Sequence, residues 1–487
     1  LTTEMQLITS IIEAGAKSAM SLEQIIKTEI DEWLTSSERK WMLTGQRYYG
    51  ADHDILNRKR TAIGEGGELI EVDNLANNKL VHAFVRKLVD QKVGYLFGKP
   101  LSIKAENTTY QDLLNDTFNK SFLRLLKNLG KEAINKGKAW LHVYYDENGQ
   151  LSFKKIPSEE IVPLWRDAAH TELDAVIRVY EIEAYEGTEK KIITKVEFWD
   201  INGVQRYELN EGGLITDVEA GEVGSHFTVV QDGKEQGFNW ERVPFVCFKY
   251  NDEELPLVRV IKSLVDDYDL KTSDQANNLE DLPNSIYVIR NYDGQDLGEF
   301  RRNLSVYRAV KVTDEGGVDT ISLEINVDAF RTHIEQLRKD IYEFGRGVDT
   351  QSEKFGNSPS GIALKFLYAD LDMDANIIET EFQASLEQLL WFVNQHIANT
   401  TGQDFSSEAV EFIFNRDILI NETDAIANIR NSVGLLSDET LIAQHPWVTD
   451  VQEELDRIRK QREVDMAQFQ TYGELRQQPQ PGEGEPI

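Results

Sequence analysis

Hydrophobic positions change their period several times along the 487-residue chain. Ile8, Ile11 and Ile12, then Ile25, Ile26, Ile30, Trp33 and Leu34, recur at helical spacing and predict a helical arm over residues 1–45. A polar interval at Gly64-Glu65-Gly66-Gly67 follows. From Asn74 to Phe97 the spacing predicts one long helix. Leu80, Val81, Phe84, Val85, Leu88, Val89, Val93, Leu96 and Phe97 form its apolar stripe, with Lys79, Arg86, Lys87 and Lys92 on the other side. Gly98-Lys99-Pro100 ends it. A further helix is expected over 109–135, and strand chemistry takes over from Ala139 to Phe248. Asp146-Glu147-Asn148-Gly149, Asn202-Gly203 and Asp232-Gly233 mark hairpin turns there, so the region reads as α+β.

From Pro256 the period is helical again. Leu257, Ile261, Leu264 and Tyr268 start a helix that runs towards Leu282, and Pro283 closes it. Residues 284–325 read as a compact insert, with strands at Ile286 to Ile289, Ala309 to Val312 and Thr320 to Ile325 around a short helix at 294–304. Phe330, Ile334, Leu337, Ile341, Phe344 and Val348 then form a 4-3-4-3-4 heptad seam. Residues 350–358 read as a polar loop. Ser358-Pro359 has the cap chemistry of a helix start, and a helix is expected over 359–399. A strand at Val410 to Phe414 and further helices follow; Asp450 and Glu453 have capping-box spacing. The tail from Gln477 is disordered by composition. There is no internal repeat.

Composition changes the picture mainly through charge. With 40% apolar and 28% charged residues the chain reads as globular, but 84 acidic residues against 52 Lys and Arg give a formal net charge of −32. That balance argues against a protein that grips nucleic acid by neutralising phosphates, and against docking on an anionic membrane. No stretch approaches a membrane span, and no secretory signal core is expected. The single cysteine, Cys247, excludes an intrachain disulfide; it lies in the apolar run Phe245-Val246-Cys247-Phe248 and reads as a small buried hydrophobe in a reducing compartment.

Catalytic signatures fail one by one. Gly94 to Gly98-Lys99-Pro100 is one residue short of a phosphate loop, and Pro100 stands where a hydroxyl is needed. Gly356-Asn357-Ser358-Pro359-Ser360 lacks the final glycine of a nucleophile elbow. The eight histidines never pair at ligand spacing. Asp370, Asp372, Asp374, Asn376 and Glu381 match a calcium-loop spacing. Ala375 replaces the required glycine, however, so a solvated or lumen-facing acidic patch on a helix is expected. We expect no catalytic residue, no metal and no cofactor; the alternative is a carboxylate-based soluble hydrolase with an α+β core, whose paired acids no motif reveals.

The order of several short segments is more informative than any one of them. They are Arg47-Tyr48-Tyr49, Asn77-Asn78, Val89-Asp90-Gln91-Lys92, Gly98-Lys99-Pro100, Asp267-Tyr268-Asp269 and Ser273-Asp274. Then come Tyr287-Val288-Ile289-Arg290-Asn291-Tyr292-Asp293-Gly294, Gly316-Gly317-Val318-Asp319-Thr320, Ser360-Gly361 with Ala363-Leu364, and Glu453-Glu454-Leu455. In this order, over residues 40–465, the chain resembles the portal proteins of tailed bacteriophages of the long-tailed, siphophage type.

The resemblance implies an α+β portal fold with wing, stem, clip and crown, closed into a ring of about twelve subunits around a DNA channel. It assigns 46–255 with 359–420 to the wing and tunnel helix, 256–283 and 326–349 to the stem helices, and 284–325 to the clip. Residues 350–358 become the tunnel loop, 421–465 the crown and 466–487 a flexible tail. It places Gln351, Ser352, Glu353, Lys354, Phe355, Gly356, Asn357 and Ser358 nearest the DNA and uses Phe330, Ile334, Leu337, Ile341, Phe344 and Val348 to pack stem helices. Tyr287, Arg290, Asn291, Arg301, Arg302 and Arg308 belong to the clip. The implied partners are further copies of the chain, double-stranded DNA, the terminase large subunit, a head-completion adaptor, and the major capsid and scaffolding proteins, with no membrane. The implied location is the portal vertex of the virion, reached from the host cytoplasm during assembly.

Overall fold

The computed structural model of the chain describes residues 21–63, 67–71, 76–186, 188–231, 234–280, 285–290, 316–322, 327–351, 366–416, 422–448 and 454–463, with single residues at 298 and 451. It divides into two compact units. The first comprises Leu1–Asp349 and Asp370–Asp417, the second Thr350–Ala369 and Ile418–Ile487.

In the first unit, helix α1 (Leu22–Thr35) starts at a capping box between Ser21 and Gln24, and Ser36 caps α2 (Ser37–Tyr49). A short hairpin of β1 (Thr61–Ile63) and β2 (Leu69–Glu71) follows. Helix α3 spans Phe84–Phe97, ten residues shorter than its periodicity predicts. Residues 76–83 are not helical because the backbone N–H groups of Asn78, Leu80 and His82 are donated to side chains of a distant helix. After β3 (Ser102–Ala105), the helix expected over 109–135 is two helices, α4 (Thr108–Thr117) and α5 (Lys120–Lys136). The break falls at Phe118, which is buried, and the Asn119 side chain accepts from the N–H groups of Ser121 and Phe122 to start α5 afresh.

Strands β4 (Lys138–Tyr145) and β5 (Leu151–Ile156) pair through the expected turn. Five strands then meander: β6 (Ile161–Trp165), β7 (Leu173–Glu186), β8 (Glu189–Asp200), β9 (Gly203–Asn210) and β10 (Gly213–Thr216). The two-residue strand β11 (Val223–Gly224) joins β9 to complete a six-stranded sheet. Alternation divides its two faces. Ala175, Ile177, Val196 and Phe198 pack under Ile26, Ile30, Trp33 and Met42 of the first two helices. Val176, Trp199 and Val204 face the other way, against Trp140, Val243 and Phe245.

A hairpin of β12 (Phe227–Gln231) and β13 (Lys234–Phe238) precedes β14 (Phe245–Lys249), which joins β4 and β5 in a three-stranded sheet. Cys247 is buried in β14, and burial pushes its thiol up to about 12.

Helices α6 (Leu257–Glu280) and α7 (Val327–Phe344) run antiparallel: His333 meets Asp267 at the middle of α6, and Gly345, just past the end of α7, lies close to Ile261 in the first turns of α6. Between them, β15 (Ser285–Arg290) and β16 (Gly317–Ser322) pair as a hairpin. β16 begins three residues earlier than the sequence pattern predicts, because the whole run from Gly317 finds partners on β15. The expected strand at 309–312 and helix at 294–304 fall outside the described residues, residue 298 apart.

Helix α8 (Ala369–Thr401) carries the buried row Leu371, Ile378, Phe382, Leu386, Leu389 and Val393; Ser385 on the same helix donates to the Cys247 carbonyl. Strand β17 (Val410–Ile413) pairs with β3. The second unit contains α9 (Glu422–Ser432) and α10 (Asp438–Ala443), the latter capped by Ser437. Among the described residues no helix is long and apolar enough to cross a membrane.

Candidate functional site

Three residues of α3 hold both ends of the connection 350–369. Gln91 brackets Val348 with its amide, accepting from the Val348 N–H (2.9 Å) and donating to its carbonyl (3.0 Å). Lys92 donates to the Arg346 carbonyl (3.0 Å) and to Asp374 Oδ2 (2.7 Å). Tyr95 donates to Asp372 Oδ1 (2.7 Å). Residues 346–348 stand just before the connection and residues 372–374 just after it, so one helix face anchors both feet.

Further bonds fix each foot. Arg338 makes a two-pronged ion pair with Asp349 (2.7 and 2.8 Å), and Arg416 reaches Asp372 (2.5 Å) and Glu379 (2.6 Å). Tyr250 donates to Asp374 Oδ2 (2.9 Å). The turn after α7 approaches α3 so closely that a Cβ on Gly345 or Gly347 would lie 2.7 or 2.1 Å from a Leu88 methyl, and Arg346 between them has φ +48°. Burial lowers the Lys92 pKa, opposed by the charge of Asp374. Burial, then the Asp374 carboxylate, raises Tyr250 well above the ordinary phenol value.

Lys92 therefore does not share the solvated side of its helix; only 2% of it is exposed. Its signal was in the sequence: Leu88, Lys92 and Leu96 stand four apart, a lysine inside an apolar row. The expected acidic patch is corrected in the same way. Asp370 is exposed, but Asp374 is buried against Lys92 and Asp372 is consumed by Tyr95 and Arg416. Gln91, Tyr95, Tyr250 and Arg346 carried no such signal.

The other sequence-predicted residues are placed as follows. Gln351 is exposed beyond α7, and Ser352, Glu353, Lys354, Phe355, Gly356, Asn357 and Ser358 lie outside the described residues. In the seam, Leu337 and Ile341 are buried, Phe330 and Ile334 half-buried, and Phe344 is 57% exposed. Val348 is buried but lies past the helix end, so the sixth heptad position is not helical; the glycine-flanked turn at Arg346 ends α7 first. In the insert, Arg290 pairs with Asp319 across the hairpin (2.9 Å, exposed), and the Tyr287 backbone faces Thr320. Asn291, Arg301, Arg302 and Arg308 lie outside the described residues.

Two histidines that the sequence leaves apart do meet. His53 Nδ1 and His82 Nδ1 lie 2.6 and 2.8 Å from the two oxygens of Asp269, which is fully buried on α6. Burial alone would raise the Asp269 carboxyl, but hydrogen bonds from both histidines hold it below the usual carboxylate value. Among the described residues no group of three or more histidine, cysteine or acidic side chains is arranged to hold a metal ion.

A cavity of about 600 Å³ is lined by Glu38, Lys136, His170, Lys249, Glu254 and Arg259. Its most perturbed acid, Glu254, is an ion-pair partner. Against the effect of burial, Lys138 and His170 lower it to about 2. An acid so held is a poor proton donor or acceptor near neutrality.

Paired charges and clamped helix ends sit here in a fold of mixed helix and sheet. The family model "Phage portal protein, SPP1 Gp6-like" matches residues 35–468, and the chain belongs to this family of phage portal proteins, which is structural and not enzymatic. The hydrolase alternative is thereby set aside. The chain is 31% identical over 452 residues to the portal protein of Bacillus phage SPP1, covering 92% of this chain and 89% of that one. It is 32% identical over 434 residues to the portal protein of Clostridium phage phiCD119, covering 86% and 92%. A solved structure described as the neck of a native GTA particle computed with C12 symmetry aligns at 13% identity and a TM-score of 0.38, covering 74% of this chain and 88% of that one. The neck of an empty GTA particle computed with C6 symmetry gives 12% and 0.38.

Proposed function

We propose that this portal protein works as one subunit of a closed ring of about twelve, through which double-stranded DNA enters and leaves the phage head. In this reading 46–255 and 359–420 form the wing and tunnel helix, 256–283 and 326–349 the stem, 284–325 the clip, and 421–465 the crown. The polar segment from Gln351 to Ser358 faces the DNA. Phe330, Ile334, Leu337, Ile341, Phe344 and Val348 form the stem seam, where the exposed Phe344 is free to meet a neighbouring subunit. The clip, with Tyr287, Arg290, Asn291, Arg301, Arg302 and Arg308, docks the terminase large subunit during packaging and a head-completion adaptor afterwards. Major capsid and scaffolding proteins surround the ring during assembly in the host cytoplasm, and it remains at the portal vertex of the virion.

The observation that supports the reading is that α3, through Gln91, Lys92 and Tyr95, holds residues 346–348 and 372–374, which flank 350–369 in the sequence. A tunnel loop at 350–358 swept by a moving polymer would need flanking residues that do not travel with it. Charge supports the same reading: twelve copies at −32 give roughly −380, a wall that repels a polyanion and lets it slide. Light scattering on the sized protein, with negative-stain images, tests it. Rings with a central hole are expected, and a strict monomer at high concentration and moderate salt would overturn it.

A further inference from the structure

The segment Asn78–His82 makes an unusual contact with α6. Running extended and antiparallel to the helix, it donates every second backbone N–H to every fourth side chain. Asn78 bonds Asn277 Oδ1 (2.6 Å), Leu80 bonds Ser273 Oγ (2.9 Å), and His82 bonds Asp269 Oδ1 (2.9 Å). The spacings match for a physical reason: two extended residues advance about 6.6 Å and four helical residues about 6.0 Å. Asp269, Ser273 and Asn277 are 0, 0 and 1% exposed, so the acceptors form a buried polar row continuing the buried apolar row Ile261 and Val265. Asn277 takes both the backbone and side-chain donors of Asn78 on its one oxygen, and Asn78 also reaches Glu280 (2.6 Å).

We propose that this strap is an axial latch: it fixes the position of α6 along its own axis, so the helix does not slide against the rest of its unit. The neighbours of the polar row make the register unique. A shift of one turn, about 5.4 Å, towards the C-terminal end brings Val265 opposite the half-buried His82 N–H and leaves that donor without its acceptor. The opposite shift carries the Asp269 carboxylate into the buried place of Val265 and away from both histidines. Neither neighbouring register satisfies all three donors without burying a charge in apolar surroundings. Resting on the portal reading, in which α6 is a stem helix, the latch assigns α6 a static role while DNA passes.

Hydrogen exchange on the assembled protein tests the latch without reference to DNA. The amides of Asn78, Leu80 and His82 should exchange as slowly as the β7–β8 core, and S273A/N277A should speed those of Asn78 and Leu80 about tenfold or more, the loss of roughly 1.4 kcal/mol of local stability. L279S, at an exposed end of α6, should leave them unchanged. Wild-type strap amides exchanging as fast as the exposed turn at Glu211-Gly212 would overturn the proposal. A second arm uses N78C/N277C in portal-containing procapsids. The oxidised pair should package DNA as the reduced one does, whereas arrest reversed by reductant would show that α6 must slide. Failure of the parent that lacks the two introduced cysteines to package would count against the portal reading alone, leaving the exchange result to judge the latch.

Discussion

Lys92 shows how much one side chain decides. It sits at 2% exposure with Asp374 as its counter-charge, and the two come from segments 282 residues apart. Removing one partner of such a pair strands the other, which typically costs about 3–5 kcal/mol, whereas replacing both by well-packed apolar groups is often neutral. K92M is therefore expected to lower the denaturation midpoint sharply and K92M/D374L to recover most of it, read by thermal and chemical unfolding of both variants beside the wild type. Equal destabilisation by the single and double variants would mean that packing, not charge, holds the feet of the 350–369 connection. The lysine was legible as an anomaly between Leu88 and Leu96. Its partner was not, because Asp374 looks like any acid on an amphipathic helix until α8 is folded against α3.

Between elements, a second ionic cluster centres on Glu254, just before α6. Lys138 of β4 (2.6 Å), His170 of the β6–β7 turn (2.7 Å) and Lys249 of β14 (3.3 Å) converge on it. Its carboxyl moves from an ordinary 4.5 to about 2 despite burial, so the folded protein favours the charged form. The stabilisation is complete above the ordinary value and drains away as pH falls from about 4.5 through about 2. Melting temperatures across that window should fall less steeply for E254Q than for wild type, from a lower starting point at neutral pH; parallel slopes would remove Glu254 from the acid response. What the sequence revealed about elements divides along the same line between local and distant causes. The turns at Asn148-Gly149 and Asn202-Gly203 and the antiparallel strands around them follow from residues next to each other. The true start of α3 and the break at Phe118 do not. The first depends on acceptors 187 to 199 positions away in α6, the second on a phenylalanine whose burial outweighs helical continuity.

For the whole molecule, net charge is the property that reaches furthest. The order of segments identified the family, yet the α+β core alone would have suited many functions, and the acidity adds that a tight grip on nucleic acid is disfavoured. The same −32 must act between subunits if they close into a ring, because each added copy brings like charge beside its neighbours. At 0.01 M salt the screening length is about 30 Å, so a subunit senses most of an adjacent one; at 0.15 M it shrinks to about 8 Å and repulsion is confined to the contact itself. The ring-to-monomer ratio at fixed protein concentration should thus rise between those two ionic strengths, measured by light scattering after equilibration. A ratio that falls with added salt would show that attractive ion pairs across the interface outweigh the net repulsion.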